Sequence, residues 1–352
     1  MKLPALRNAA LLVVSTGLAL AVSELVARAL VPSRATAGEL ELFEFDPRLG
    51  WRFAPNREAR VRIPDGHETI VRINEHGMRD RSHPLERRPG ARRIAMVGDS
   101  FLVGLGVDDA DLLTSRIEEW LEPGTEVLNF GVSGYGPIQE FVLVEDQVRR
   151  FAPDLVILVL YLGNDFEDLD GSRFRTGYER PRGRVVGGRL IVDDWPEPPK
   201  PTDRLLFSLW KFRVYEIAAR AARRAADGAR EDERLRRWPT TAEVALMRGV
   251  IGETARRVSA FSGDFLVVAV PSMTALDGRV ARGGEPGDEA AAARAVADIC
   301  AGAGVAFLDL SATFAERASA GVGDYFAAYR HWNAQGHGAA AAAIGGFLRE
   351  RE

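Results

Sequence analysis

The sequence is poor in the residues that staple a chain, ligate metals or attract polyanions. A single cysteine, Cys300, stands among 352 residues, which excludes an intrachain disulfide and a cysteine-built metal site. It falls in the apolar helical stretch Ala297-Asp298-Ile299-Cys300-Ala301, where a buried core thiol is expected. Histidines number only 5, and 46 Lys and Arg against 50 Asp and Glu leave a formal net charge of -4, so no basic face for nucleic acid is expected. A P-loop is missing, Gly104-Leu105-Gly106 lacks the third spaced glycine of a dinucleotide fingerprint, and Gly131-Val132-Ser133-Gly134-Tyr135 fails the last position of a G-x-S-x-G elbow. No cofactor, metal or protein partner is indicated by what remains.

Charge is also missing from Asn8 to Ser23, and apolar character resumes after Glu24 through Val31. A bilayer-spanning helix needs about 20 mainly apolar residues, which this segment supplies if Glu24 and Arg28 pair across one helical turn. Lys2 and Arg7 precede it, so the positive-inside rule puts the N-terminus in the cytoplasm and the bulk outside. Residues 1–31 are therefore read as an uncleaved membrane anchor. The rival is a signal peptide cut near Ala21-Val22-Ser23 or Ala35-Thr36-Ala37, which would leave a secreted protein.

Residues 32–41 read as a polar tether, and 42–91 as a small β extension: Val61 and Ile63 alternate with Arg60 and Arg62, then Pro64-Asp65-Gly66-His67 turns the chain towards Ile70, Val71 and Ile73. His67 and His76 are expected as solvated turn residues, and His83 precedes Pro84 in a polar loop. From residue 92 to 352 strands alternate with helices, the pattern of a parallel sheet with right-handed crossovers. Strands are expected at Arg93–Val97, at Val127–Asn129 running into Phe130, at 154–161, at 265–270 and at 305–309; helices at 112–121, 137–150, 287–301 and 335–349. Five strands suggest a three-layer α/β/α, flavodoxin-like sheet of order 2-1-3-4-5. An insertion over 166–262 carries a hairpin near 184–192, a proline cluster at 196–201 and the aromatic stretch Leu205–Phe212, which reads as a lid, a lipid-touching helix or a helix packed on the core.

The chemistry-bearing residues sit where strands end. Gly98-Asp99-Ser100-Phe101 follows the first core strand and offers a serine nucleophile at the carboxyl edge of the sheet. Gly134 follows the second strand, Gly163-Asn164-Asp165 the third, and His331-Trp332-Asn333-Ala334-Gln335-Gly336-His337 stands before the last helix. In these four ordered blocks the chain resembles the SGNH (GDSL-type) hydrolases over residues 42–350. The resemblance implies Ser100 as nucleophile, His331 rather than His337 as its base, and an oxyanion hole formed by the Ser100 N–H, the Gly134 N–H and the Asn164 side chain. It further implies a serine esterase, or an O-acyltransferase, acting on small acyl groups such as acetyl on an extracytoplasmic saccharide. A lipid ester is the rival substrate, and a non-catalytic binding or assembly module the rival function.

One position departs from that family. The aspartate expected two or three residues before the histidine is replaced by Tyr329 and Ala328, and the nearest upstream acid is Asp324. Three outcomes stay open: a carboxylate from elsewhere, a backbone carbonyl orienting His331 in a dyad, or lost turnover.

Overall fold

The computed structural model describes residues 3–30, 36, 38–169, 171, 178–200, 202, 212–215, 217–218, 221, 239–261, 263–276 and 288–351. Strands β1 (Phe43–Asp46), β2 (Gly50–Phe53), β3 (Glu58–Arg62) and β4 (Glu68–Arg72) precede the core strands β5 (Arg92–Gly98), β6 (Thr125–Gly131) and β7 (Leu155–Tyr161). Strands β8 (Arg182–Val186) and β9 (Arg189–Asp194) follow in the insertion, and β10 (Asp264–Val270) and β11 (Ala306–Asp309) complete the core.

The core is a five-stranded sheet in which β6, β5, β7, β10 and β11 lie side by side, all parallel. In core numbering this is 2-1-3-4-5, the order expected from the sequence. Both faces are covered, as parallel sheets require. Ala95, Val97, Leu128, Val156 and Leu158 pack towards the helices Pro137–Asp146, Thr241–Ala260 and Asp288–Ala303. The alternate residues Ile94, Met96, Val127, Ile157 and Val159 pack towards Leu113–Trp120, Ser311–Ser319 and Ala334–Arg349. Cys300 is fully buried in the first of these layers, and burial pushes its thiol up to about 12.

The N-terminal extension is two antiparallel hairpins, β1–β2 and β3–β4. Its second hairpin shows the alternation read from the sequence, with Ala59, Val61, Thr69 and Val71 buried and their neighbours exposed. Just before β1, Glu39–Leu42 forms one 3-10 turn, with Glu39 and Leu42 buried.

Among the described residues one helix, Leu3–Leu30, contains a stretch, Ala10–Leu30, long and apolar enough to cross a membrane, and the large apolar side chains from Leu11 to Leu30 are exposed. Arg28 Nε donates to Glu24 at 2.6 Å, the one-turn pairing expected. Glu24 also accepts from the backbone N–H groups of Arg213 and Val214, so the insertion touches this helix. The β8–β9 hairpin matches expectation and is held to the helix Thr241–Ala260 by Arg189, which donates to Glu253 at 2.7 and 2.9 Å. Of the aromatic stretch, residues 205–211 lie outside the described residues.

Candidate active site

β5 delivers Ser100 to the carboxyl edge of the sheet. Asp99 ends the strand and caps the short helix Ser100–Val103, its Oδ1 accepting from the Phe101 N–H at 2.9 Å. Burial raises the Asp99 carboxyl to about 6, against the opposing pull of that N–H. Gly98 sits tightly here: a Cβ would lie 3.1 Å from Val159 on the adjacent strand.

Ser100 Oγ lies 2.7 Å from His331 Nε2, although 231 residues separate them. On the other side of the ring, His331 Nδ1 lies 2.9 Å from the carbonyl oxygen of Tyr329. A carbonyl only accepts, so Nδ1 carries the proton and Nε2 turns its lone pair to the serine hydroxyl. Of the three outcomes left open by the missing aspartate, the geometry is that of the backbone carbonyl. Asp324 is engaged elsewhere, taking Arg317 Nη2 at 2.7 Å and Nε at 2.8 Å in a fork.

The ring is also clamped by aromatic faces. Tyr329 stacks on it with centroids 4.0 Å apart, and Phe101 stacks at 4.6 Å. The adjoining Trp332 is fully buried, parallel to Phe314 at 5.2 Å and edge-on to Phe101 at 5.1 Å. Residues 324–333 form an irregular hairpin: Phe326 N–H donates to the His331 carbonyl, and Arg330 turns the chain at φ 62. His337, the competing base, is fully buried, accepts from the Leu113 N–H at 3.0 Å through Nδ1, and is driven by burial down to about 3. It is a neutral core residue away from the serine hydroxyl.

Asn164 and Gly134 are linked by a bridge that sequence reasoning missed. Gly134 has φ 77, a backbone that glycine adopts without strain. Asn164 Nδ2 donates to Asp168 Oδ2 at 2.8 Å, and because a carboxylate only accepts, the amide nitrogen is fixed in place with one N–H left over. Asp168 Oδ1 in turn lies 3.0 Å from Arg180 Nη2, which donates to the Gly134 carbonyl at 2.9 Å. Arg180 belongs to the insertion, is buried, and packs over Trp51 at 5.6 Å. A lone arginine in a long turn-rich segment gives no sequence signal for this.

Two neighbouring carboxyls, Glu140 and Asp165, are buried, and burial pushes both well above their ordinary value, helped by repulsion from Asp99 and Asp168 on each and from Glu140 on Asp165. Neither Glu140 oxygen has a hydrogen-bond partner among the described residues. Among the described residues no group of His, Cys, Asp and Glu has the arrangement to hold a metal ion.

The other histidines sit in the extension. His67 is exposed as expected, with its ring 5.0 Å from Phe326. His76 is half-buried rather than solvated, edge-on to Phe151 at 5.1 Å. His83, read as lying in a polar loop, is buried with Nε2 3.2 Å from Asp80 Oδ2, because its loop is tied to the core strands by Asn129 N–H donating to Asp80 Oδ2 and Arg93 donating to the Pro84 carbonyl.

No family model and no curated protein matches the chain. Solved structures similar to it include a lipase/acylhydrolase from Enterococcus faecalis, 13% identical, covering 74% of this chain and 96% of that one, with a TM-score of 0.44. A member of the lipolytic G-D-S-L family from Veillonella parvula is 13% identical over 74% of this chain and 100% of its own, with a TM-score of 0.43. An acetyl xylan esterase is 12% identical over 73% and 99%, also at 0.43.

Proposed function

We propose that this chain is a serine esterase of SGNH type that works through a Ser100–His331 dyad. The observation that carries this is the Ser100 Oγ to His331 Nε2 contact of 2.7 Å with the tautomer fixed by the Tyr329 carbonyl. Serine becomes a competent nucleophile only when a base takes its proton as it attacks. In the proposed reaction Oγ bonds to the ester carbonyl carbon while its proton passes to Nε2. The Ser100 N–H, the Gly134 N–H and the free N–H of Asn164 receive the developing oxyanion. Collapse breaks the carbon–oxygen bond to the alcohol, which takes the proton from Nε2, and water or an acceptor hydroxyl then releases the acyl group from Ser100.

Loss of the family aspartate does not favour a non-catalytic module, because His331 still has an acceptor at Nδ1 and aromatic rings stacked on it at 4.0 and 4.6 Å. The proposed setting is membrane-anchored, with residues 42–352 outside the cytoplasm. Its support is the apolar stretch Ala10–Leu30 with Arg7 before it. The proposed substrate is a small acyl ester, acetyl or similar, on an exported saccharide, with a lipid ester as the second reading. Full-length protein in detergent, assayed on an ester series from acetyl to long acyl and on acetylated glycans, should release acetate fastest and lose that activity in Ser100→Ala. No turnover of any ester by the wild type overturns the esterase reading; preference for long acyl chains overturns the saccharide reading alone. Protease added to intact spheroplasts should digest the catalytic domain, and full protection would refute the topology.

A further inference from the structure

Asp65 stands at the turn of the β3–β4 hairpin, 264 residues before Tyr329. Its two oxygens are spent on two consecutive main-chain donors: Oδ1 accepts from the Ala328 N–H at 2.9 Å and Oδ2 from the Tyr329 N–H at 2.7 Å. The carbonyl of Tyr329 is the group that holds His331 Nδ1. We propose that Asp65 is a positioning residue for His331, acting through the Tyr329 backbone and supplying from the N-terminal extension the orientation that the missing triad aspartate would give. This inference rests on the serine-esterase reading and adds a residue to it.

Three observations support the assignment. The segment being held needs holding, since Arg330, the next residue, is a non-glycine at φ 62, a conformation that persists only where surrounding contacts over-determine it. Hydrogen bonds from N–H groups to a carboxylate are stronger than neutral ones, and two on successive residues fix both position and tilt of the peptide. The hairpin carrying Asp65 is itself seated on the same loop and on the loop after Ser100. A Cβ added at Gly106 would come 2.6 Å from Ile63 and 3.2 Å from Phe326, so the loop after Ser100 packs against both the hairpin and the histidine loop at Gly106, and the His67 ring lies 5.0 Å from Phe326. The turn is closed by Gly66 N–H to the Ile63 carbonyl at 2.9 Å and Ile63 N–H to the His67 carbonyl at 3.0 Å.

Other parts of the extension do the same for the remaining loops, which shows that its role is not confined to covering the sheet edge. The Arg79 guanidinium, buried, donates to the carbonyls of Val103, Gly104 and Val107 behind Ser100. Trp51 Nε1 donates to the Ser133 carbonyl at 3.0 Å beside Gly134. Asp65 differs from both in lying one residue's backbone away from the atom that orients the base.

The test uses full-length protein in detergent with p-nitrophenyl acetate. Asp65→Asn preserves size but faces one of the two N–H groups with an amide donor; kcat should fall about 10- to 100-fold with KM within about twofold, as expected for a base displaced by a fraction of an ångström. His67→Ala loosens the same hairpin without touching the carboxylate and should keep kcat within about twofold. In protein labelled with 15N-histidine, the His331 Nδ1–H resonance, protected from exchange in the wild type by its hydrogen bond to the Tyr329 carbonyl, should be lost to solvent exchange in Asp65→Asn. Wild-type kcat in Asp65→Asn, a persistent resonance, or an equal loss in His67→Ala would overturn the proposal. If the wild type itself turns over no ester, the esterase reading falls, and the resonance alone decides whether Asp65 holds the histidine.

Discussion

Ser100 and His331 meet at one hydrogen bond but are held by different kinds of structure. Ser100 stands on an uninterrupted strand, turn and helix, and its own turn is fixed mainly by local bonds: Asp99 accepts from Phe101 two residues on, and Val103 N–H donates to the Asp99 carbonyl, while Arg79 of the extension braces only the loop that follows. His331 stands on an irregular hairpin, and what fixes it comes from far along the chain: Asp65 from the extension, Phe101 from the nucleophile loop, and Pro271, whose carbonyl accepts from the Tyr325 hydroxyl at 2.8 Å. The oxyanion side is of the second kind too, since Arg180 from the insertion ties Gly134 to Asp168 and thence to Asn164. In the dyad we propose, the sheet presents Ser100, and the appended segments hold His331, Gly134 and Asn164; orientation of the histidine is then distributed among several contacts and needs no aspartate beside it.

The contrast between local and distant support can be broken at four points of decreasing size. His331→Ala should lower kcat by about 10⁴-fold, measured on p-nitrophenyl acetate, because a serine without its base keeps only the help of the oxyanion groups. A variant that retains wild-type turnover would mean another base serves Ser100. Next is Arg180→Lys: Arg180 Nη2 alone reaches both Asp168 and the Gly134 carbonyl, and a lysine stem ends one bond short of it, so kcat should fall about 10-fold while the melting temperature stays within a few degrees. Unchanged kcat would separate the insertion from the oxyanion groups.

Asp324→Asn probes a carboxylate that is near the histidine in sequence yet turned to Arg317. It should cost about 1–2 kcal/mol of stability through the weakened fork, read by denaturant unfolding, and leave kcat within about twofold. A large loss of kcat would make Asp324 the triad acid after all. Smallest is Glu140→Gln. The folded carboxyl is raised well above 4.5 by burial, so the fold binds a proton that the unfolded chain releases as pH rises past that value. Stability is lost over that rise, and an amide, which mimics the protonated form, removes the loss. The variant should melt like the wild type near pH 4 and a few degrees higher at pH 7; an equal or lower melting temperature at pH 7 would show an ionised and satisfied Glu140.

The same division decides what could be read from the amino acids. Alternating buried faces and strand-end turns are written in contiguous residues, so the core sheet, its order and the placement of Ser100, Gly134 and Asn164 at strand ends were legible. His331 was legible from the motif around it, and Trp332, buried in the core, explains why the histidine faces outward. Asp65 was visible only as hairpin-turn chemistry, and Arg180 not at all, because both act through contacts with residues remote in the chain. The acceptor for Nδ1 was beyond reach for a further reason: it is the Tyr329 main-chain oxygen, and every residue has one.

Activation of Ser100 by His331 can be read with a fluorophosphonate, which phosphonylates only an activated hydroxyl. Intact mass after incubation of the full-length protein should show one adduct, placed on Ser100 by peptide mapping, absent in Ser100→Ala and formed at least about 100-fold more slowly in His331→Ala. A wild type that remains unlabelled, or labels equally well without His331, would contradict the dyad.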